Sequence, residues 1–395
     1  MRILFLTERF PPDIGGLARS SGRIAASLAL LGHEVQVVAW TRQLPPGTAA
    51  SENLGQGGGM LHRLGLFAAT DTTLQHTALF LEDLHARSPL DLVWGHYLHP
   101  AGFAAVLFAR SRRIPAIVSA RGNDVDRLLY PPGDFARLQY TLQNASLVTS
   151  VSEDLAGKMR LICDSTPIEV LPNVVDTLVF CPGPASAELR QRLAISAGHS
   201  VIGFSGELRY KKGIDFLLRA LPVVLQTRPA TLLVIGQARA EDQQRLATLS
   251  LDHPEIARQI VVTGHIESPA DVAGHLRLVD VYVQPSLWDG MPNALLEAMA
   301  CGLPCIGSSA GGIPEVIEHG RTGSIIPTPQ LHRLGEAIVE LLAQPVEVRS
   351  ALGRSARERI VASFSPASEE KMLRRVLSRV SDFGVRRLDA AFPSS

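Results

Sequence analysis

The stretch Pro285–Glu315, PSLWDGMPNALLEAMACGLPCIGSSAGGIPE, predicts a strand end, a loop, a short helix, a second strand and a glycine turn. The run Val279–Val283 just before it is short and rich in β-branched residues, which is typical of a buried strand. Helix-favouring residues begin at Asn293, after a proline whose missing N–H costs little at a helix start. Gly302 ends that helix. This order of elements is typical of an α/β fold.

The residues around this helix indicate the chemistry of a ligand. Asn293 and Glu297 are four apart and share one helix face, and Asp289 lies in the loop before the helix. The N-terminus of a helix offers free N–H donors that suit a phosphate. Carboxylates cannot bind phosphate, but they accept hydrogen bonds from sugar hydroxyls. Gly311 and Gly312 let the backbone come close at a second turn. The stretch therefore predicts a ligand that is part phosphate and part sugar.

Asp289 and Glu297, separated by seven residues, and the GGIPE turn at 311–315 resemble the donor-site signature of the retaining GT-B glycosyltransferases of family 4. That signature has two glutamates at this spacing, and an aspartate stands in the first place here. The competing interpretation is an ordinary amphipathic helix with a capping aspartate and a solvated glutamate, and the GGIPE turn downstream favours the resemblance. The resemblance covers nearly the whole chain and is strongest from Gly264 to Gly323.

Length and composition bound the class of protein. A chain of 395 residues predicts two or three domains. Basic and acidic residues number 38 each, so the net charge indicates no nucleic-acid partner. The four cysteines, Cys163, Cys181, Cys301 and Cys305, form no CxxC pair and no zinc spacing. The apolar context of Cys301 and Cys305 predicts buried thiols, which fits a reducing compartment.

The two ends of the chain bear on localisation. The N-terminal run MRILFLTERFPP is too short and too soon charged for a signal peptide, and no run reaches the roughly 18 apolar residues of a transmembrane helix. We therefore expect a soluble, cytoplasmic protein. Near the C-terminus, Met372–Val380 alternates apolar residues with three arginines. Two interpretations of this basic face remain open: a solvated face, or a weak peripheral contact with the acidic inner face of a membrane.

Short apolar runs alternate with longer helical patterns along the chain, which predicts βα units and parallel sheets. The resemblance implies the GT-B architecture, in which two Rossmann-like domains face each other across a cleft. We expect an acceptor-binding domain at 1–175 and a donor-binding domain at 176–365, with a C-terminal helix at about 366–385 packing back on the first. Residues 44–59 predict a surface loop, and loops at 41–60 and 122–136 are expected to select the acceptor.

Several candidate residues of the first domain follow predicted strands, where side chains of parallel sheets face the ligand crevice. They are His96, His99, Arg121, Asn123 and Asp124. His96 stands where the family has a histidine. Arg121 replaces a histidine that contacts the donor sugar in many members, and as a permanent cation it could hold a phosphate or an acidic acceptor but not act as a base. Asp124 could orient Arg121 or bind the acceptor.

The glycines of the RFPPDIGG loop, Gly15 and Gly16, precede a helix predicted at Ser20–Leu31, and the resemblance places them at the donor phosphates.

In the second domain, the run GELRYKKG precedes a helix predicted at Ile214–Leu225. Lys212 matches the family's lysine, whereas Glu207 falls where the family has an arginine. Arg209, two places on, is expected to replace that arginine. Two cations between a strand end and a helix N-terminus suit a pyrophosphate, and a solvated basic turn is the alternative. The resemblance places Ile266 against the nucleotide base.

The resemblance implies transfer of a hexosyl group from a nucleotide-sugar to an acceptor hydroxyl on a sugar, glycolipid or small molecule, with retention at the anomeric carbon. It implies that Glu297 holds the ribose, that Asp289 holds the donor sugar, and that the leaving phosphate takes the acceptor proton. The catalytic candidates are His96, Arg121, Arg209, Lys212 and Asp289. The donor-binding candidates are Gly15, Gly16, Ile266, Gly290, Asn293, Ala294, Leu295, Glu297, Gly311 and Gly312.

We predict catalysis without a bound metal, because fixed cations and helix termini could stabilise the pyrophosphate. The one DVD run, Asp124–Asp126, lies in the wrong domain for the donor. Two alternatives stay open. One is another enzyme on the same fold, such as a sugar-phosphate synthase. Epimerases of this fold lack the Asp/Glu pair with GGIPE, and its phosphorylases usually carry a cofactor lysine pocket that this sequence does not show. The other is a non-catalytic partner subunit, which the departures at Arg121 and Glu207 leave open.

Overall fold

The computed structural model describes residues 1–55 and 59–391, and it describes their side chains except at 123, 240 and 381–391. The described chain divides into two compact units. Unit 1 comprises Met1–Pro172 together with the C-terminal segment from Glu369, and unit 2 comprises Asn173–Ser368. Each unit is built around its own sheet.

The sheet of unit 1 has eight strands in the order β3-β4-β2-β1-β5-β6-β7-β8. The strands are β1 Arg2–Thr7, β2 Glu34–Thr41, β3 Ala49–Asn53, β4 Met60–Gly65, β5 Leu92–His96, β6 Ala116–Ala120, β7 Leu147–Ser150 and β8 Ile168–Val170. All neighbouring pairs are parallel except β3 with β4. The central strands are buried along nearly their whole length, which is why they read as continuous apolar runs.

The helices of unit 1 are α1 Gly16–Leu30, α2 Thr70–Arg87, α3 Phe103–Arg112, α4 Asn123–Leu128, α5 Pro132–Asn144 and α6 Glu153–Ile162. The helix α6 begins as its sequence predicts, since the Ser152 hydroxyl accepts a hydrogen bond from the Leu155 N–H at 3.2 Å. The helix α1 starts at Gly16 rather than at the predicted Ser20. Gly15 and Gly16 therefore form the N-terminus of α1 itself.

Unit 2 contains a six-stranded parallel sheet in the order β11-β10-β9-β12-β13-β14. The strands are β9 Ser200–Ser205, β10 Ala230–Ile235, β11 Ile260–Val262, β12 Val281–Gln284, β13 Cys305–Ser308 and β14 Ser324–Ile326. The helices are α7 Ala187–Arg192, α8 Ile214–Leu225, α9 Ala240–Asp252, α10 Pro254–Ala257, α11 Pro269–Leu276, α12 Asn293–Ala300, α13 Ile313–Val316, α14 Leu334–Ala343 and α15 Val346–Ser363. Short 3₁₀ turns lie at Tyr210–Lys212 and Thr328–Arg333.

The last helix, α16, spans Pro366–Ala391 and belongs to unit 1 from Glu369 onward. Its apolar residues enter the core of unit 1 beside β1, β2 and α1; they are Leu373, Val376, Leu377 and Val380. Arg375 and Arg379 both pair with Glu169, the former at 3.3 Å, and Arg374 pairs with Glu370 at 2.9 Å. The charges of the predicted basic face are therefore compensated locally.

Two predicted loops of unit 1 are wrong. The segment 44–59 is predicted as a surface loop, but it contains the strand β3, which is exposed and pairs antiparallel with β4; residues 56–58 lie outside the described residues. The run AASEN has no apolar alternation, so pairing with β4 rather than its own pattern makes it a strand. The segment 122–136 contains α4 and the start of α5, which the prolines and acidic residues there concealed.

The strand order reverses direction once in each sheet, between β1 and β5 in unit 1 and between β9 and β12 in unit 2. Ligands of open α/β sheets bind at such switch points, outside the carboxyl ends of the strands. The loops that follow β1, β9 and β12 hold the candidates Gly15, Arg209, Lys212, Asp289 and Gly290. Among the helices of the described ranges, none combines the length and apolar character that a membrane span needs.

Candidate active site

The loops after β12 and β13 pack directly against each other in unit 2. The Gly312 N–H donates a hydrogen bond of 2.7 Å to the Gly290 carbonyl. Gly311 adopts a left-handed conformation, with φ +53°, and a β-carbon there would overlap the carbonyl oxygen of Asp289. Only glycine allows this approach. The two loops predicted to hold the donor therefore form one surface.

The carboxylate of Asp289 lies at the centre of this surface. It forms an ion pair with the Lys212 ammonium and accepts hydrogen bonds from the Ser286 hydroxyl at 3.3 Å and the Gly290 N–H at 3.1 Å. Burial alone would raise its pKa, but Lys212, Lys211 and the Ser286 hydroxyl outweigh burial and hold the pKa of Asp289 below its usual value. Asp289 is therefore ionised at neutral pH.

A buried chain of hydrogen bonds leads from β12 to this carboxylate. The Tyr282 hydroxyl donates to the Gln284 side-chain oxygen at 2.8 Å, and the Gln284 amide donates to the Ser286 hydroxyl at 2.9 Å. That hydroxyl in turn donates to Asp289. All three donors are buried, so the chain fixes the position of Asp289 from beneath.

The loop after β9 brings two lysines to the same place. The Leu287 N–H donates to the Lys211 carbonyl at 2.8 Å, which ties this loop to the one after β12. Gly213 has a φ of +81°, and a β-carbon there would overlap the Pro285 carbonyl. Burial, partly offset by Asp289, lowers the pKa of Lys211 to about 8. Lys212 was predicted from the sequence as a site residue, whereas Lys211, which lies between Arg209 and Lys212, was not.

Glu207, which stands where the family has an arginine, forms ion pairs with two arginines. Glu207 pairs with Arg209 at 3.2 Å and with Arg239 at 3.0 Å. Burial lowers the pKa of Arg209, yet that guanidinium stays near enough to Asp289 to interact electrostatically. Its Nε is buried and has no hydrogen-bond partner within the described residues. Arg239, which follows β10, was missed because no motif marks it.

The helix α12 begins at Asn293, as predicted. Asn293 and Ala294 are half-buried, whereas Leu295 and Glu297 are buried in the first turns. The Asn173 amide donates to the Met291 carbonyl at 2.8 Å, which holds the approach to the helix. Because α12 follows β12, its N-terminus points at the same edge of the sheet as Asp289.

Ile266 lies in the segment after β11, at the same edge of the unit 2 sheet. The Thr263 N–H donates to the Val234 carbonyl at 3.0 Å, and the Gly236 N–H donates to the Thr263 hydroxyl at 3.0 Å. These bonds hold the start of that segment beside the loop after β10. Ile266 is half-buried.

In unit 1, the candidate His96 ends β5 and is fully buried. Its Nε2 lies 2.8 Å from the Ser20 hydroxyl of α1, and its Nδ1 has no hydrogen-bond partner among the described residues. Burial, followed by the charges of Arg121 and Arg23, puts the pKa of His96 well below its usual value. The imidazole is therefore neutral at physiological pH. Gly15, five residues before Ser20 at the head of α1, is exposed.

Arg121 follows β6 and is half-buried, with one N–H donating to the Leu171 carbonyl at 3.3 Å. Burial lowers its pKa to about 9, so the guanidinium stays charged at neutral pH. The Asp124 carboxylate accepts the backbone N–H groups of Arg121 at 3.0 Å and Gly122 at 2.9 Å. Asp124 thus holds the backbone of this loop, in keeping with the orienting role. The side chain of the candidate at 123 lies outside the described residues.

Two unpartnered polar groups lie in the segments that follow β1 and β5. The Glu8 Oε1 is buried without a hydrogen-bond partner in the described ranges, and so is the His99 Nε2. Burial raises the pKa of Glu8 to about 7, against the opposing charges of Arg127 and Arg9. Glu8 was not predicted as a site residue, although its position directly after the central strand β1 was a usable signal.

The cysteines and the DVD run of the sequence have structural surroundings. Cys301 and Cys305 are buried free thiols, as predicted, and burial raises the pKa of Cys301 to about 12. In the DVD run, Asp126 pairs with Lys158 at 3.1 Å while Asp124 holds backbone N–H groups. No cluster of three or more histidine, cysteine or acidic residues suited to a metal occurs in the part of the chain that the structure describes.

The structure therefore gathers two groups of candidates. In unit 2 it brings together Lys212, Asp289, Gly290, Gly311 and Gly312. In unit 1 it brings together His96 and Arg121, whose charge acts on the imidazole.

Comparison with protein families assigns this chain. Residues 15–174 match the model described as a glycosyl transferase 4-like domain, and residues 199–344 match the model described as glycosyl transferases group 1. The chain belongs to the group 1 glycosyltransferases. The two matched segments fall in unit 1 and unit 2, apart from two residues at the boundary.

This glycosyltransferase has curated relatives over most of its length. It is 26% identical over 376 residues to the GDP-mannose-dependent monoacylated alpha-(1-6)-phosphatidylinositol monomannoside mannosyltransferase of Corynebacterium glutamicum, covering 92% of this chain and 94% of the relative. It is also 26% identical to the N-acetyl-alpha-D-glucosaminyl L-malate synthase of Bacillus anthracis, covering 72% of this chain and 73% of the relative.

Solved structures give the glycosyltransferase its fold class. Sucrose-phosphate synthase from Thermosynechococcus elongatus matches with a TM-score of 0.78 at 19% identity, covering 99% of this chain and 100% of that one. Anabaena HepE in complex with UDP and glucose matches with a TM-score of 0.76 at 19% identity, covering 96% of this chain and 99% of that one. The α/β fold is that of the GT-B glycosyltransferases, as predicted.

Proposed function

We propose that this glycosyltransferase moves a hexosyl group from a nucleoside-diphosphate sugar to an acceptor hydroxyl, with retention at the anomeric carbon, in the biosynthesis of a glycan, polysaccharide or glycolipid. The observation that carries the proposal is the ion pair of Lys212 with Asp289 on the surface formed by the loops after β9, β12 and β13. The solved neighbour HepE was crystallised with UDP and glucose, which supports a nucleotide-sugar as donor.

The charges of unit 2 suit a diphosphate leaving group. Breaking the glycosidic bond to phosphate builds negative charge on the pyrophosphate, and preorganised cations and N–H donors stabilise such charge without reorganisation. Lys212, Arg209 and the N-terminus of α12 would supply them. Lys212 would exchange part of its contact with Asp289 for the phosphate, which frees one carboxylate oxygen for the sugar hydroxyls.

The two carboxylates would take the polar ends of the donor. Asp289 would accept hydrogen bonds from the transferred sugar and Glu297 from the ribose, while the backbone of Gly290, Gly311 and Gly312 lines the approach. Aspartate is one methylene shorter than the family's usual glutamate, so the sugar would sit closer to the loop backbone. Ile266 would lie against the base.

In this proposal the configuration is retained because the nucleoside diphosphate leaves from, and the acceptor hydroxyl attacks, the same face of the sugar. The leaving phosphate would accept the proton of the acceptor hydroxyl as the new bond forms, as the family resemblance implies. Arg121 cannot replace it as a base, because its guanidinium stays protonated at neutral pH even with a pKa of about 9. Arg121 would instead remain a fixed positive charge in unit 1, next to the neutral imidazole of His96.

We also propose that the reaction proceeds without a metal ion, since Lys212 and Arg209, which both interact with Asp289, would neutralise the diphosphate in place of a divalent cation. Activity should therefore persist when the dialysed enzyme is assayed with a chelator. Loss of activity in the chelator, with recovery on adding magnesium or manganese, would contradict this part of the proposal.

The donor and product are tested directly. Purified protein is incubated with UDP-glucose, UDP-N-acetylglucosamine, GDP-mannose and ADP-glucose, each with inositol, malate, sugar-phosphate and phospholipid acceptors, and products are read by mass spectrometry. The relatives' names, which include a phosphatidylinositol monomannoside and L-malate, motivate this acceptor range. The proton NMR coupling of the product's anomeric proton reports retention or inversion.

The site is tested by replacing its lysine. Lys212→Ala should lower donor hydrolysis and transfer at least about 100-fold, because a lost charge contact in the transition state costs about 3 kcal/mol. Exposed Lys371→Ala is the matched control and should behave as wild type. If UDP, GDP and ADP all fail to raise the melting temperature, or if the two variants are equally active, the proposal is wrong. Binding without hydrolysis or transfer of any donor would favour the non-catalytic alternative.

A further inference from the structure

Two aromatic side chains project from unit 2 beside the Lys212–Asp289 pair. Tyr210 is 54% exposed and Trp288 is 40% exposed. Their ring centroids lie 6.2 Å apart at an interplanar angle of 62°, in an edge-to-face arrangement. Tyr210 lies two residues before Lys212, and Trp288 directly precedes Asp289. The pair therefore borders the surface assigned above to the donor.

The backbone beneath the two rings is rigid. The Leu287 N–H donates to the Lys211 carbonyl at 2.8 Å, and the Gly213 N–H donates to the Tyr210 carbonyl at 2.9 Å. These bonds, with the contact of Gly213 against the Pro285 carbonyl, hold the loops of both aromatic residues together. A ring held on a fixed backbone loses little freedom when a ligand stacks on it, so the pair is preorganised for binding.

The pair is unusual within this chain. Of the large apolar side chains that the structure describes as exposed, three are aromatic: Tyr130, Tyr210 and Trp288. The other two tryptophans, Trp40 and Trp94, are 3% and 0% exposed. Leaving an aromatic ring in water costs about 25 cal/mol for each Å² of apolar surface. Two exposed rings in contact beside a charged pair are therefore explained by a ligand that covers them.

We propose that Tyr210 and Trp288 form a stacking platform for a sugar ring, an inference that rests on the proposed transfer reaction. Sugar rings carry C–H groups on their faces and hydroxyls at their edges. The C–H faces pack on aromatic rings, whose faces are electron-rich. The neighbouring Asp289 carboxylate and Lys212 ammonium match the hydroxyls, as hydrogen-bond acceptor and donor. The ring belongs either to the donor sugar or to a sugar acceptor, and the test separates the two.

The first experiment uses tryptophan fluorescence of the intact protein, because Trp288 is the tryptophan that solvent and ligand reach. UDP-glucose and GDP-mannose are titrated against UDP, GDP, glucose and mannose. A change in emission with the nucleotide-sugars that exceeds the change with the nucleotide alone, and that disappears in Trp288→Leu, supports the donor sugar. A change with free glucose or mannose in the presence of saturating UDP or GDP supports an acceptor sugar.

The second experiment separates stacking from a structural role. Trp288→Leu and Tyr210→Leu should raise the KM of the sugar-bearing substrate about tenfold, whereas Trp288→Phe and Tyr210→Phe, which keep a ring, should restore it to within about threefold of wild type. Leu251→Ala, which removes an exposed apolar side chain from α9, is the control. Circular dichroism and melting temperature show that each variant is folded.

Equal KM values in the Leu and Phe variants would overturn the platform. So would an emission change caused as strongly by UDP or GDP as by their sugar conjugates, since this would assign the rings to the base or the phosphates. Either result leaves the transfer reaction standing if Lys212→Ala still abolishes it. Failure of Lys212→Ala to affect hydrolysis would instead overturn the proposed function.

Discussion

At the scale of single residues, the charged groups near the sheet edges have unequal environments. The Asp289 side chain is only 12% exposed yet ionised, because lysines and a hydroxyl lie around it. Glu8 is half-buried with one buried, unpartnered oxygen, and its pKa is raised to about 7. The first arrangement keeps a negative charge available at neutral pH. The second makes the negative charge costly, so the folded protein favours the protonated form of Glu8.

This difference predicts how Glu8 affects stability. Between its ordinary pKa of 4.5 and about 7, the folded state holds a proton that the unfolded chain has released. The free energy of unfolding therefore falls as the pH rises through this window, by up to about 1.4 kcal/mol per pH unit, and is level above it. Glu8→Gln cannot ionise, so between pH 5 and pH 8 it should lose about 2 kcal/mol less stability than wild type.

Urea denaturation of both proteins at pH 5, 6, 7 and 8 measures this difference. Glu347→Gln, at the exposed start of α15, is the control and should follow the wild-type curve. A Glu8→Gln curve parallel to that of wild type across the whole range would show that Glu8 ionises normally in the folded protein.

At the scale of elements, α16 is held to unit 1 by a buried ion pair as well as by apolar contacts. The Glu369 side chain is 1% exposed, pairs with Arg23 of α1 and accepts a hydrogen bond from the Ser27 hydroxyl at 3.2 Å. Arg23 in turn lies close enough to Arg121 and His96 to lower the pKa of each. The first turn of α16 thus sets the electrostatic surroundings of the candidate residues in unit 1.

Two adjacent glutamates of α16 allow a matched test. Removing the charge of Glu369 leaves Arg23 without its buried partner, so Glu369→Gln should lower the free energy of unfolding by about 3 kcal/mol. Glu370 is 54% exposed and pairs only with Arg374 one turn away, so Glu370→Gln should cost about 0.5 kcal/mol or less. Equal losses in urea titrations of the two variants would show that the buried pair adds nothing to stability.

At the scale of the whole molecule, the two units have separate cores, and one of them is completed by a distant part of the sequence. The core of unit 1 joins strands from the first 172 residues to apolar side chains of α16. The core of unit 2 consists only of residues between 173 and 368. Unit 1 is therefore discontinuous in sequence, whereas unit 2 is continuous.

This organisation predicts an unequal effect of shortening the chain. Ending it after Ser368 removes four buried aliphatic side chains from unit 1, each of which contributes about 1.5–3 kcal/mol by burial. The sum is comparable with the whole stability of a domain. Hydrogen exchange read by mass spectrometry should therefore show loss of protection in peptides from 1–172, while peptides from 173–368 keep theirs. Full protection of residues 1–172 would contradict the assignment of α16 to that core.

The sequence by itself determined the class of fold and the positions of the loops after β9, β12 and β13. Buried parallel strands are continuous apolar runs, and α8 and α12, which are rich in apolar residues, begin directly after Gly213 and Pro292, so local patterns were enough to place β1, β9, α8 and α12. The spacing of Asp289, Glu297 and the GGIPE turn is likewise a local signal. It identified the resemblance before any contact was known.

Only the tertiary structure decided which charges meet. Lys212 and Asp289 are 77 residues apart, and Arg23 and Glu369 are 346 apart, so no local pattern pairs them. The strand β3 was missed for the same reason, because its strand conformation depends on pairing with β4 rather than on its own residues. The raised pKa of Glu8 arises from burial, and burial is a property of the assembled fold. Backbone propensities act over a few residues, whereas desolvation and ion pairing depend on what the completed fold brings within a few ångströms.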